Sequence, residues 1–196
     1  MNEKNHEVEL RALLAEDQFK KISDELKKHG ASLKGEDKLT DIYYCLKKVK
    51  TFAEIEMDEV GSYSLRLRKT EKDGEQKTDL NIKVITNFGD HHAWDEHEIT
   101  IDSFEEMDKI ITSIGFKPFV MIEKVRRSYD LEDMSINLED IKDFGLAIEI
   151  EIMTQKEKSE EAKNKIRGFL KKIGIDEDKI VPKSVTNIIM KQKAVF

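Results

Sequence analysis

The stretch Ile148-Glu149-Ile150-Glu151-Ile152 decides how this chain folds. Its strict apolar and charged alternation has the period of a strand, so the isoleucines share one face and both carboxylates the other. Glu7-Val8-Glu9-Leu10-Arg11 repeats the pattern near the N-terminus. Working outward, the same alternation marks Ser64, Arg66 and Arg68 against Leu65 and Leu67, and Asn81 and Lys83 against Leu80, Ile82 and Val84. It returns at Glu96 and Glu98 before Ile99, at Lys124 and Arg126 around Val125, and at Asn137 and Glu139 around Leu138. Seven segments thus have one apolar and one charged face.

Such alternation usually means an antiparallel sheet with one wet face. Two features argue otherwise for the set. Charges within a segment share a sign over short distances, as in Glu7/Glu9, Arg66/Arg68, Lys124/Arg126 and Glu149/Glu151, whereas solvated surfaces mix signs. Of 34 basic residues only six are Arg, leaving 28 Lys, yet Arg11, Arg66, Arg68, Arg126 and Arg127 all lie in these segments. The guanidinium fork suits bidentate anion recognition. The expected fold is therefore α+β: a closed antiparallel barrel of about eight strands, charged inside and apolar outside beneath helices. A lumen of roughly six carboxylates and six cations cannot stay dry, so it would hold water, a metal and a polyanion.

Three amphipathic helices supply the cover. Phe19, Ile22 and Leu26 precede Gly30; Met107, Ile110, Ile111 and Ile114 follow a Ser103/Glu106 capping box and end at Gly115; Ala162, Ile166, Phe169, Leu170 and Ile173 lead to Gly174. A short helix is expected near Asp176, and the tail after Pro182 reads as mixed helix or strand. Lys69 to Thr78 and Asn87 to His92 read as hairpin loops, and Glu54, Glu56 and Asp58 as a solvated hairpin extension. No linker divides residues 1–196, which are expected to form one domain.

Composition narrows the function. A net charge of −7 argues against a general nucleic-acid binder. The lack of a long apolar run argues against a membrane span, and the lone Cys45 against disulfides or a cysteine zinc cage. A cytoplasmic protein, monomer or homodimer, is expected. Carboxylates without a His or Cys set suit Mg²⁺ or Mn²⁺, and His91, His92 and His97 are not spaced as metal ligands.

The residues resemble the CYTH superfamily of triphosphate tunnel metalloenzymes, and within it the class IV adenylyl cyclases. Glu7 to Arg11 is similar to the E-x-E-x-K signature, Asp41-Ile42-Tyr43-Tyr44 to D-x-Y-Y, and Leu65 to Arg68 to L-R-x-R. Asn81-Ile82-Lys83 resembles the strand ending in a phosphate-binding Lys, Glu96-His97-Glu98 the middle E-x-E, and Phe144-Gly145 with Glu149-Ile150-Glu151 the closing strand. Gly115-Phe116-Lys117-Pro118 through Glu123 to Tyr129 is the segment most similar to the cyclases. The resemblance implies a tunnel domain over the whole chain that binds ATP or another triphosphate. It implies a metal held by Glu7, Glu9, Glu98, Glu149 and Glu151, with Glu96 and Glu139 as secondary candidates. Arg66, Arg68, Lys83, Lys124 and Arg126 would line the phosphates, and Arg11 and Tyr43 are the catalytic candidates. Formation of cyclic AMP and pyrophosphate is the expected reaction; an inorganic or thiamine-type triphosphatase and a weakened triphosphate-binding module are the alternatives. The sequence departs from the family at Arg11 (usually Lys), Cys45 (Asp), Trp94 (Arg), Glu139 (Asp), Ala147 (Phe) and Val185 (Tyr).

Overall fold

The structure is a computed structural model that describes residues 6–55, 59–88, 93–181, 185–193 and 195, without the side chains of Ala93, Val185 and Thr186. Eight antiparallel strands close a barrel: β1 (His6–Leu14), β2 (Ser32–Leu46), β3 (Tyr63–Lys72), β4 (Glu75–Ile85), β5 (Ala93–Ile101), β6 (Phe116–Leu131), β7 (Met134–Ile141) and β8 (Gly145–Thr154). Around the barrel the order is β1-β5-β4-β3-β2-β6-β7-β8. Four helices are described: α1 (Glu16–Lys28), α2 (Phe104–Ser113), α3 (Ser159–Lys172) and α4 (Val185–Lys193).

Alternation sorts the side chains as expected. Val8, Leu10 and Ala12 of β1 and Ile148, Ile150 and Ile152 of β8 point outward and bury against Ile22 and Leu26 of α1 and Ile166 and Leu170 of α3. Burying such side chains stabilises the fold by roughly 1.5–3 kcal/mol each, which holds the helices on the barrel. Glu7, Glu9, Arg11, Glu149 and Glu151 on the opposite faces line an interior cavity. A second apolar layer joins Cys45, Ile122, Ile141 and Ala147 to Val181 and to Ile189 and Met190 of α4. The described part of the tail is thus helical over Val185–Lys193, and Asp176 precedes only a one-turn 3₁₀ segment, Glu177–Lys179. Val185 lies outside the described side chains.

Several expectations are corrected. Lys69 to Thr78 is mostly strand: β3 and β4 pair up to Lys72↔Glu75, and only Asp73 and Gly74 turn, both at positive φ (51° and 85°) as a tight two-residue hairpin needs. Of the stripe on α2 only Ile111 is buried, with Met107 partly so, while Ile110 is 51% and Ile114 67% exposed. The helix is short and rests on Phe104, Met107 and Ile111, so Ile110 flanks the contact and Ile114 lies past its end. Helices do not cover the whole barrel either, since Ile99 on β5 is 60% exposed. Glu54 belongs to a 3₁₀ turn, Phe52–Glu54, where its carboxylate accepts from the Lys50 amide and the Thr51 hydroxyl. Glu56, Asp58, His91 and His92 lie outside the described residues. Arg127 faces out and pairs with Glu36 at 2.6 Å, because only one of two adjacent strand residues can face the lumen.

Candidate functional site

The cavity, of about 410 Å³, falls within the roughly 300–1,000 Å³ of small-molecule sites. Six carboxylates line it, Glu7, Glu9, Glu96, Glu98, Glu149 and Glu151, with six cations, Arg11, Arg66, Arg68, Lys83, Lys124 and Arg126. Tyr43, Asn81 and Trp94 also face it. The carboxylates come from β8, β1 and β5, which are contiguous in the barrel, and every cation except Arg11 comes from β4, β3 or β6. One wall is acidic and the other basic.

Strand register then divides the groups within each wall. The β1–β8 ladder sets Glu9 opposite Glu151 and Arg11 opposite Glu149. Glu7, Glu9 and Glu151 consequently offer carboxylate oxygens within 4.8 Å of one another. Glu149 is drawn off: it accepts from Arg11, and from Arg126 at 3.2 Å. Of the five predicted metal ligands the structure therefore gathers three, leaving Glu149 in an ion-pair network and Glu98 beside Arg66 at 3.9 Å. Glu96 accepts from Asn81 and lies 3.5 Å from Lys83.

The basic wall carries its own counter-ions. Arg68 donates two bonds to Asp41, at 2.6 and 2.8 Å. Glu139 accepts from Lys124 at 2.5 Å and from Arg126 Nε at 2.7 Å, so it neutralises cations instead of joining the carboxylate cluster. Asp41 is the functional residue that the strand pattern missed, although it shares a strand face with Tyr43. Arg66 has weaker support. Its Nε is buried without a hydrogen-bond partner among the described residues, and the ion pair with Glu98 is long.

Counting Asp41 and Glu139 with the lining groups gives eight carboxylates against six cations, an excess of two. Their titration shows where the excess resides. Burial raises the Glu7 pKa well above its ordinary range; Lys83 opposes this, and Glu151 and Glu9 add to it. Burial and the adjacent Glu149 raise Glu151 likewise. Burial also disfavours charge on Asp41 and Glu149, but Arg68 and Arg11 respectively outweigh it and hold both carboxyls low. Glu96 is lowered to about 2: bonds and charges from Glu7, Lys83, Arg66 and Asn81 overcome its burial. Two protons, or one divalent cation, would balance the lumen. Three oxygen donors without His or Cys fit a hard cation, and the ammonium of Lys83, in contact with Glu7 and 3.3 Å from Glu9, already sits where a cation would be attracted.

The CYTH domain matches residues 5–185. A Methanocaldococcus jannaschii protein named provisionally as an adenylate cyclase is 30% identical over 91 residues, 46% of this chain and 52% of that protein, so the match spans about half of the relative's length. A Pyrococcus horikoshii protein superposes with a TM-score of 0.78 at 22% identity, covering 95% of this chain and 99% of that one. A Hippeastrum protein, described as a provisional adenylyl cyclase that reveals a dominant triphosphatase activity, superposes at 0.62 with 19% identity over 95% of this chain and 94% of its own. At such identities the structural likenesses show the fold. No helix among the described residues is long and apolar enough to cross a membrane.

Proposed function

We propose that this chain, which belongs to the CYTH domain family, binds a nucleoside triphosphate and a divalent cation in its lumen and converts ATP to cyclic AMP and pyrophosphate. The observation that carries the reading is the separation of charge across one cavity, with three clustered carboxylates on one wall and the under-partnered Arg66 on the other. Glu7, Glu9 and Glu151 would hold Mg²⁺ or Mn²⁺. Such an ion supplies neutralisation of phosphate charge and acidifies a hydroxyl beside it.

The protein's own groups would do the rest. Arg66 would take a phosphate oxygen on its free Nε, and Arg68, Lys83, Lys124 and Arg126 would stabilise charge developing on the leaving pyrophosphate. In cyclisation the ribose 3′-oxygen bonds to the α-phosphorus as the bond to the β-phosphate oxygen breaks, and the hydroxyl proton passes to a lumen carboxylate. Tyr43, paired in register with Arg66 on the cavity wall, would contact the same phosphates.

Arg11 supports cyclisation over hydrolysis if position 11 is where a hydrolytic water would be activated. Its guanidinium is gripped by Glu9 and Glu149, and those carboxylates overcome burial to keep it protonated, so it cannot serve as a base toward water. A cyclase substrate brings its own nucleophile and needs no positioned water. The second reading, a triphosphatase, is supported by the activity ascribed to the Hippeastrum relative. Incubation with ATP, tripolyphosphate or thiamine triphosphate plus Mg²⁺ or Mn²⁺ separates them. Cyclic AMP with pyrophosphate is expected; orthophosphate would favour the triphosphatase, and no product would overturn both.

A further inference from the structure

The chain's single tryptophan, Trp94, has surroundings that give it a task. Among the described residues β5 pairs with β1 at His6↔Asp95, Glu7↔Trp94 and Val8↔Ala93. From β5, Trp94 reaches Glu9: it is 3% exposed, and its indole N–H donates to Glu9 Oε1 at 2.9 Å. The other Glu9 oxygen faces Arg11, and Lys83 at 3.3 Å. Glu9, fully buried, is therefore fixed from β5 as well as from β1 and β4.

We infer that Trp94 is a positioning residue for divalent-cation binding, one that orients Glu9 toward Glu7 and Glu151 through a donor that carries no charge. The inference rests on the reading of the three carboxylates as a cation site. Its physical content lies in the donor's neutrality. An arginine in this place could also bond Glu9, but it would put a permanent positive charge beside the carboxylates and compete with the incoming ion. The indole N–H fixes the carboxylate and leaves its charge available to the metal. Partners of this outer kind commonly control affinity by about 10–100-fold.

The test is Mn²⁺ affinity, read from the electron paramagnetic signal of free Mn²⁺ without nucleotide, at a temperature where circular dichroism shows every variant folded. Trp94→Phe, which keeps the ring and loses the donor, should bind about ten-fold more weakly. Trp94→Gln, which restores a neutral donor, should recover most of the loss, and Trp94→Arg should bind more weakly than either. A packing role alone predicts another order, with Phe tolerated best and Gln worst; that order, or equal affinity in all variants, would overturn the inference. The unsubstituted protein offers a second readout. Bound Mn²⁺ is paramagnetic and should quench the lone tryptophan's emission, whereas Mn²⁺ binding with unchanged emission would overturn the inference alone. No Mn²⁺ binding by the unsubstituted protein would sink the cation-site reading and this inference with it.

Discussion

The two walls of the lumen differ less in the sign of their charge than in how far that charge is already answered. On the basic wall Asp41 grips Arg68 and Glu139 grips Lys124 and Arg126, which leaves Arg66 with the weakest support. On the acidic wall Arg11 answers Glu149 and part of Glu9, while Glu7 and Glu151 keep raised pKa values and depend on Lys83 or on protons. Ligand recognition should thus draw most on Glu7, Glu151, Lys83 and Arg66, with Glu9, Arg68, Lys124 and Arg126 contributing while they also hold the walls together. The other charges build the frame.

Substitution separates frame from recognition. Asp41→Ala strands the buried Arg68 and should cost about 3–5 kcal/mol in chemical denaturation, whereas Glu151→Gln should leave stability unchanged or higher and abolish metal-dependent turnover. Equal losses in the two variants would erase the distinction between the walls. Glu149→Gln, although only two residues from Glu151, should lower stability in the direction of Asp41→Ala but by less, because Arg11 keeps Glu9 and Arg126 keeps Glu139.

Next in size is Arg66→Met. Charged hydrogen bonds of about 1.5–3 kcal/mol translate into a roughly ten- to hundred-fold loss of tripolyphosphate affinity, measured calorimetrically, with the unfolding midpoint maintained. Lys83→Met should move the two ligands in opposite directions, tightening Mn²⁺ because an ammonium leaves the carboxylates and weakening tripolyphosphate. Weakening of both would mean that Lys83 does not compete with the metal.

The pH dependence of stability gives a smaller contrast. Asp41, Glu9, Glu96, Glu139 and Glu149 have folded pKa values below their ordinary ones, so their contribution is present above the ordinary carboxyl range and fades as pH falls. Glu7 and Glu151 have raised values, so their contribution is full below the Glu reference of 4.5 and is lost as pH climbs through the folded pKa. Without metal the unfolding midpoint should therefore fall from mildly acidic toward neutral pH, and saturating Mg²⁺ should remove that fall. Matching slopes with and without Mg²⁺ would contradict the assignment.

The sequence made some strands legible and concealed others for identifiable reasons. β1 and β8 could be read because each has helices on one face and the charged lumen on the other, which leaves the period of two intact. β2 was concealed. Its first half is mostly exposed on both faces, and register breaks at Leu33/Gly35 and Tyr43/Tyr44 interrupt the alternation. With β2 unread, Asp41 could not be placed against Arg68. Glu149 and Glu151 look equivalent in sequence, and only the ladder with β1 gives one to Arg11 and leaves the other with Glu7 and Glu9. Alternation identifies the face; register, which depends on distant residues, assigns the partner.

The smallest expected effect is at Arg11. Arg11→Lys keeps the charge but loses the fork that spans Glu9 and Glu149, so it should lower stability modestly while leaving tripolyphosphate affinity within a few-fold. If orthophosphate release from tripolyphosphate also rises, Arg11 is suppressing hydrolysis; unchanged release makes it a structural cation.

One lumen that joins a cation-binding wall to a phosphate-binding wall should respond to both ligands at once. The most direct test is the unfolding midpoint with tripolyphosphate and Mg²⁺ added separately and together. Each ligand relieves repulsion on one wall, so the pair should raise the midpoint by more than the sum of the separate shifts. Ligand at about 100 times its dissociation constant corresponds to roughly 2.7 kcal/mol of stabilisation. A midpoint unmoved by millimolar tripolyphosphate and Mg²⁺ together would rule out such a lumen.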